Sequence, residues 1–143
     1  MTNLRLDHFV TAHDVMYETA LSELLEGQKK SHWMWFIFPQ HYGIGESITS
    51  RYFSIHGLEH AKAYFSHQTL GSNFKKCIAA ALHNTSSTTL QLFGRVDSMK
   101  FQSSLTLFRY ACQSEKDIRQ IDKALEMFCN SERCRHTLEL LNR

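Results

Sequence analysis

A single proline, Pro39, and six isolated glycines punctuate the whole chain. That is too little turn chemistry for a sandwich or barrel, whose many strands need Gly- and Pro-rich connections, and it suits helices joined by short loops. The apolar pattern agrees. Leu6, Phe9, Val10, Met16, Tyr17, Ala20, Leu21, Leu24 and Leu25 recur at spacings of three and four, which places them on one face of a helix. Asp14 is a candidate cap for a second helix within this stretch, so a break is expected near His13, and Gly27 followed by Lys29 and Lys30 suits a helix end. Trp33 to Phe38 is apolar without alternation, which leaves a buried strand and a short buried helix both open; Pro39 closes the segment either way.

Residues 40–47, with Gly43 and Gly45, read as a loop, and Ser47 is placed to cap a helix reaching Tyr52. Leu58, Ala61, Tyr64 and Phe65 make a stripe ending near His67, and Leu70, Phe74, Cys77, Ile78, Ala81 and Leu82 make the next. The polar run 84–89 is expected to be a connection, because Ser and Thr side chains offer the backbone local bonds that compete with helix. Phe101, Leu105, Leu107 and Phe108 predict a helix opened by Asp97. Ile118, Ile121, Leu125 and Phe128, then Leu138, Leu140 and Leu141, predict the last two. The expected fold is all-α: residues 1–143 as one compact, orthogonal array of about six to eight short helices.

Composition narrows the function. In 143 residues, 43% apolar content is enough to close one core without metals or disulfides. Sixteen basic and fourteen acidic side chains are interspersed for a net +2, so no continuous field exists to hold a polyanion, and general nucleic-acid binding is not expected. Met1, Thr2, Asn3 and Arg5 open the chain without a signal-type apolar stretch, and no run is long enough to span a bilayer; the expected location is the cytoplasm. Cys77, Cys112, Cys129 and Cys134 lack tight pairs and read as reduced thiols. The histidines include no close pair on one helix face, and there is no phosphate-binding glycine loop, dinucleotide fingerprint or serine elbow, so neither a metal site nor a cofactor is expected.

Two stretches carry chemistry. The first, residues 30–40, sets His32, Trp33, Trp35 and Gln40 close together. Indole faces stack on flat rings, an imidazole moves protons near neutral pH, and an amide reads a polar edge. Met34, Phe36 and Ile37 between them read as core. The second, residues 93–108, carries Asp97, Lys100, Ser103, Ser104 and Thr106; with Asp97 as cap, Lys100, Ser104 and Phe108 fall near one face, and the free amides of the helix start with Lys100 suit a phosphate or carboxylate. Ordinary capping explains the same letters.

With these stretches in view, nearly the whole chain resembles a family of domains of unknown function, number eighteen-ten, whose bacterial members are sometimes misnamed calpastatin. The resemblance rests on Phe9, Glu23, Leu24, the run Lys30 to Gln40, Gly43, Gly45, Ser47, Tyr52, Leu70, Gly71, Phe93, Gly94, Asp97, Lys100, Phe101, Ser103, Ser104, Thr106, Leu107, Phe108 and the ending Thr137 to Leu141. It implies a compact helical fold and no established activity. The order of His32-Trp33 followed by Lys100-Phe101 is also similar to the NADAR superfamily, N-glycosidases of ADP-ribose-type or related ribosyl substrates. That likeness implies Trp33 and Trp35 stacking a base, Lys100 with Ser103 or Ser104 holding phosphate or ribose oxygens, and His32 or Asp97 activating water. Ser31 stands where that superfamily has a glutamate, so Asp97 would have to compensate. A noncatalytic nucleotide or nucleotide-sugar sensor uses the same residues, and a protein-interaction domain uses the Trp-rich face; protein partners are left open.

Overall fold

The structure, a computed structural model, describes residues 4–84 and 87–143. Met1, Thr2 and Asn3, on which the reading of the chain start rested, and Thr85 and Ser86 of the polar connection lie outside the described residues. Among the described residues eight helices follow one another: α1 (Asp7–Glu26), α2 (Met34–Ile37), α3 (Ile48–Tyr52), α4 (Leu58–Ser66), α5 (Gln68–His83), α6 (Thr89–Ala111), α7 (Glu115–Cys129) and α8 (Arg135–Leu141). They form one all-α domain in which α1 lies along α5, α6 packs on α4, α7 and α8, and the short α2 is wedged between α1, α5 and α6. Among the described residues no helix is long and apolar enough to cross a membrane. All four cysteines are free thiols.

The core is aromatic. Phe9, Trp33, Phe38, Tyr64, Phe74, Phe101 and Phe108 are fully buried, and their rings meet at 4.8 Å for Phe38 and Phe101, 4.6 Å for Phe74 and Phe108, and 5.3 Å for Tyr64 and Phe108. Each such ring stabilises the fold by roughly 1.5–3 kcal/mol through burial alone. The turn between α4 and α5 is tight. His67 ends α4 and caps α5, its Nδ1 accepting from the Thr69 and Leu70 amides, and Gly71 lies so close to the Phe65 carbonyl that a Cβ would collide with it.

Three expectations are settled or corrected. The open segment 33–38 is a short buried helix, α2. The break near His13 does not occur, because α1 runs unbroken through it. Asp14 is exposed, whereas His13 is 1% exposed and anchors mid-helix: its Nε2 donates to the Phe36 carbonyl at 2.8 Å and its Nδ1 accepts from the Asn73 amide at 3.1 Å. Tertiary contacts outweigh the weak local preference of Asp14 for a cap. Nor does Asp97 open its helix. Thr88 does, in a capping box with Gln91, and the helix then kinks at Gly94, whose φ of 78° and ψ of 174° leave the helical region. Asp97 follows just after that kink.

Candidate functional site

The kink and the turn after α1 bring the two chemical stretches together. Where α1 ends at Gly27, the chain turns toward α6 and the Lys29 amide donates to the Leu92 carbonyl at 2.7 Å. The Lys29 ammonium then reaches Asp97 Oδ2 at 2.8 Å and donates to the Ser31 carbonyl at 2.6 Å, while sitting 5.1 Å over the Trp33 ring. Asp97 Oδ1 faces Lys100 at 3.7 Å, and the Lys100 ammonium lies 5.0 Å over the ring of Trp35. His32, exposed at the rim, is stacked beside Trp35 at 6.3 Å and 30°. Lys29, Asp97, Lys100, Trp35 and His32 are therefore one cluster, laid between the turn, α2 and α6.

Beneath it lies a residue given no chemical role above. Glu23, on the inner face of α1 and 7% exposed, receives four hydrogen bonds. Its Oε1 accepts from the amides of Lys30 at 2.7 Å and Ser31 at 2.9 Å and from Trp33 Nε1 at 3.0 Å, and its Oε2 accepts from Ser31 Oγ at 2.5 Å. Burial by itself would raise its pKa, but donors from Ser31, Lys30 and Trp33 favour the charged form more strongly and hold it at about 2, well below the usual carboxylate range. The sequence carries a signal for this: Glu23 shares a helical face with Ala20, Leu24 and Gly27, and a carboxylate there needs partners.

The remaining candidates fall elsewhere. Trp33 is wholly enclosed and its indole N–H is committed to Glu23, so the stacking surface and the Trp-rich face expected of both tryptophans reduce to the half-buried Trp35. Ser103 and Thr106 sit on the buried side of α6 that receives the C-terminal segment. Ser103 Oγ is 2.9 Å from Thr137 Oγ1, and Thr106 Oγ1 donates to the Gln102 carbonyl and accepts from the Cys134 amide at 2.9 Å. They fasten α8 to α6. Ser104 is also fully buried, and its Oγ is the one buried side-chain polar atom among the described residues without a hydrogen-bond partner. Gln40 is half-buried beyond Pro39, its carbonyl accepting from the Ile55 amide at 2.8 Å; no hydrogen bond or ion pair joins it to the cluster.

The cluster lies apart from three clefts of the fold. A cleft of about 580 Å³ opens between α4 and the start of α7, one of about 290 Å³ between α6 and α7, and one of about 380 Å³ along α1. Glu23 and Lys30 line the last of these, and Trp35 and Lys100 line none of them. Chemically, the cluster offers a half-open aromatic face, an ammonium held at 3.7 Å rather than in a short ion pair, an exposed imidazole, and a carboxylate neutralised by two lysines.

Comparison with known proteins bears on the whole chain. The family described as "Protein of unknown function (DUF1810)" matches residues 3–141. A crystal structure of a conserved hypothetical protein from Mycobacterium tuberculosis is similar with a TM-score of 0.91 and 33% identity, covering 96% of this chain and 96% of that one. No curated protein matches the chain.

Proposed function

The chain belongs to the DUF1810 family of proteins of unknown function, and from its cluster we propose that it binds a small phosphate-bearing compound of nucleotide or ribosyl type on the surface made by Trp35, Lys100 and His32. The observation that carries this reading is the Lys100 ammonium over the face of the half-buried Trp35. An indole is a stacking partner for a flat base, and an ammonium that rests over the ring and moves aside for the base is a point charge for the phosphate next to it. Lys100 keeps donors for that purpose, because its 3.7 Å approach to Asp97 is longer than a charge-assisted hydrogen bond. The interspersed charge of the chain favours such a compact ligand over a nucleic-acid strand.

A second reading, hydrolysis of the N-glycosidic bond of an ADP-ribose-type compound, is favoured by the position of Asp97. A phosphate that drew Lys100 away would leave Oδ2 paired with Lys29 and free Oδ1. Asp97 would then take a proton from water as the oxygen bonds to the anomeric carbon. The carbon–nitrogen bond breaks, and His32 gives a proton to the departing base. The corresponding sensor needs only the binding step.

One experiment separates these. Purified protein is screened by thermal shift against NAD, ADP-ribose, nucleotides and nucleosides, and each stabilising compound is analysed by mass after long incubation. A ligand well above its dissociation constant stabilises a fold by a few kcal/mol. Stabilisation with intact recovery supports binding alone; release of free base, lost in both Asp97→Ala and His32→Ala, supports hydrolysis. No stabilisation by any of them defeats both readings.

A further inference from the structure

We infer that Glu23 is the positioning residue of the Trp35–Lys100 surface, acting through Ser31, Lys29 and Asp97 rather than by touching a ligand. The functional part of this inference rests on the binding reading above; the coupling itself stands on geometry. Glu23 gathers the backbone amides of Lys30 and Ser31, the Ser31 hydroxyl and the Trp33 indole onto one carboxylate. The Ser31 residue is thereby gripped on both sides, since its amide and hydroxyl donate to Glu23 while its carbonyl accepts from the Lys29 ammonium. Lys29, its side chain only 8% exposed, has its second strong partner in Asp97, and Asp97 has its second in Lys100 over Trp35.

Charges alternate along this path: Glu23 negative, Lys29 positive, Asp97 negative, Lys100 positive. A turn that merely needed closing could use neutral acceptors. A buried carboxylate that stays ionised instead fixes the Ser31 carbonyl, which with Asp97 decides where the Lys29 charge rests. Lys29 in turn sets how much of Asp97 is left for Lys100. Loss of the Glu23 charge would let the turn and Lys29 shift, and Lys100 would settle differently over Trp35.

The test is Glu23→Gln, with Glu23→Ala beside it. The glutamine retains an oxygen for the three Oε1 bonds and an amide that donates to Ser31 Oγ, so the fold survives while the charge is lost. The two indole N–H resonances in a proton–nitrogen correlation spectrum are the spectroscopic readout, and affinity for ADP-ribose is the functional one. In Glu23→Gln both indole resonances are expected to move, although Trp35 is not among the hydrogen-bond partners of Glu23. ADP-ribose affinity is expected to fall about tenfold, as misplacement away from a ligand can cause, and further in Glu23→Ala. Lys29→Met is expected to move the Trp35 resonance as well. A shift confined to Trp33, with Trp35 and affinity unchanged, overturns the inference and leaves Glu23 a clamp of the turn. If the wild-type protein does not bind ADP-ribose, it is the binding reading that fails, and the Trp35 resonance still decides the coupling.

Discussion

The Lys29 ammonium lies 2.8 Å from the Asp97 carboxylate and joins the turn after α1 to the helix beyond the Gly94 kink. The two partners are unequally covered, at 8% exposed for Lys29 and 21% for Asp97, and Asp97 alone has a second cation in Lys100. Their removal is therefore unequal. Asp97→Asn leaves a covered ammonium with no counter-charge, only the Ser31 carbonyl and the Trp33 ring, and is expected to destabilise the fold by about 2–3 kcal/mol, whereas Lys29→Met leaves Asp97 paired with Lys100 and costs about 1 kcal/mol. The double variant should lose less than the sum. Urea unfolding of the four proteins checks this, and equal costs for the two single changes would show that Lys29 is not the more dependent partner.

Neighbouring serines should behave oppositely. Ser103→Ala leaves Thr137 Oγ1 without its buried partner, at a cost of about 1–2 kcal/mol. Ser104→Ala removes a buried hydroxyl that has no partner, so stability should stay level or rise by up to about 1 kcal/mol. Thermal unfolding distinguishes them, and a Ser104→Ala loss as large as that of Ser103→Ala would mean that its hydroxyl is bonded after all.

The same two residues show what was legible in the sequence. Apolar spacing located most helices, and Ser47 caps α3 by accepting from the Ser50 amide, as its place before residues 48–52 implied. Spacing does not say which hydroxyls of α6 face solvent; Ser103 and Thr106 face the C-terminal segment because α8 docks there, a long-range fact. His13 misled for the same reason, since its partners Phe36 and Asn73 come from α2 and α5. The meeting of Trp35 with Lys100 depends on the Gly94 kink and on Glu23, whose place on an apolar helix face signals that it has partners without saying which.

Two glycines are set by different constraints. At Gly71 a methyl group would meet the Phe65 carbonyl, a backbone atom that cannot swing aside, and Gly71→Ala is expected to cost about 3 kcal/mol or more. At Gly94 there is open space, and only the backbone, with φ at 78° and ψ at 174°, resists substitution, so Gly94→Ala should cost about 2 kcal/mol. Chemical denaturation orders the two; a reversed order would contradict the tight α4–α5 turn.

Acid should weaken the fold in two windows. Burial depresses the His13 imidazole from 6.5 to about 4, against the opposing pull of the Phe36 carbonyl bond and Asp14. Between those values the unfolded chain binds a proton that the folded one does not, so stability drops as pH is lowered from 6.5 to 4, by roughly 3 kcal/mol in all. Glu23, held at about 2 against an ordinary 4.5, contributes stability that is complete above 4.5 and drains away as pH falls toward 2. His8 and His60, also lowered chiefly by burial, add to the upper window. A pH series of urea midpoints should show His13→Gln flattening the upper window and Glu23→Gln the lower; unchanged slopes would remove these groups from the account.

The most direct measurement is calorimetric titration of ADP-ribose into the wild-type protein, Trp35→Ala and Lys100→Ala, with unfolding temperatures recorded for all three. Lys100→Ala should unfold within a few degrees of the wild type, in line with a surface change, whereas Trp35 packs against the core and Trp35→Ala should unfold several degrees lower while staying folded at the titration temperature. The account requires saturable heat from the wild type and affinity at least about tenfold weaker in each variant, as expected for loss of a stacking face or a phosphate contact. Equal binding by all three proteins, or no heat from the wild type, would contradict it.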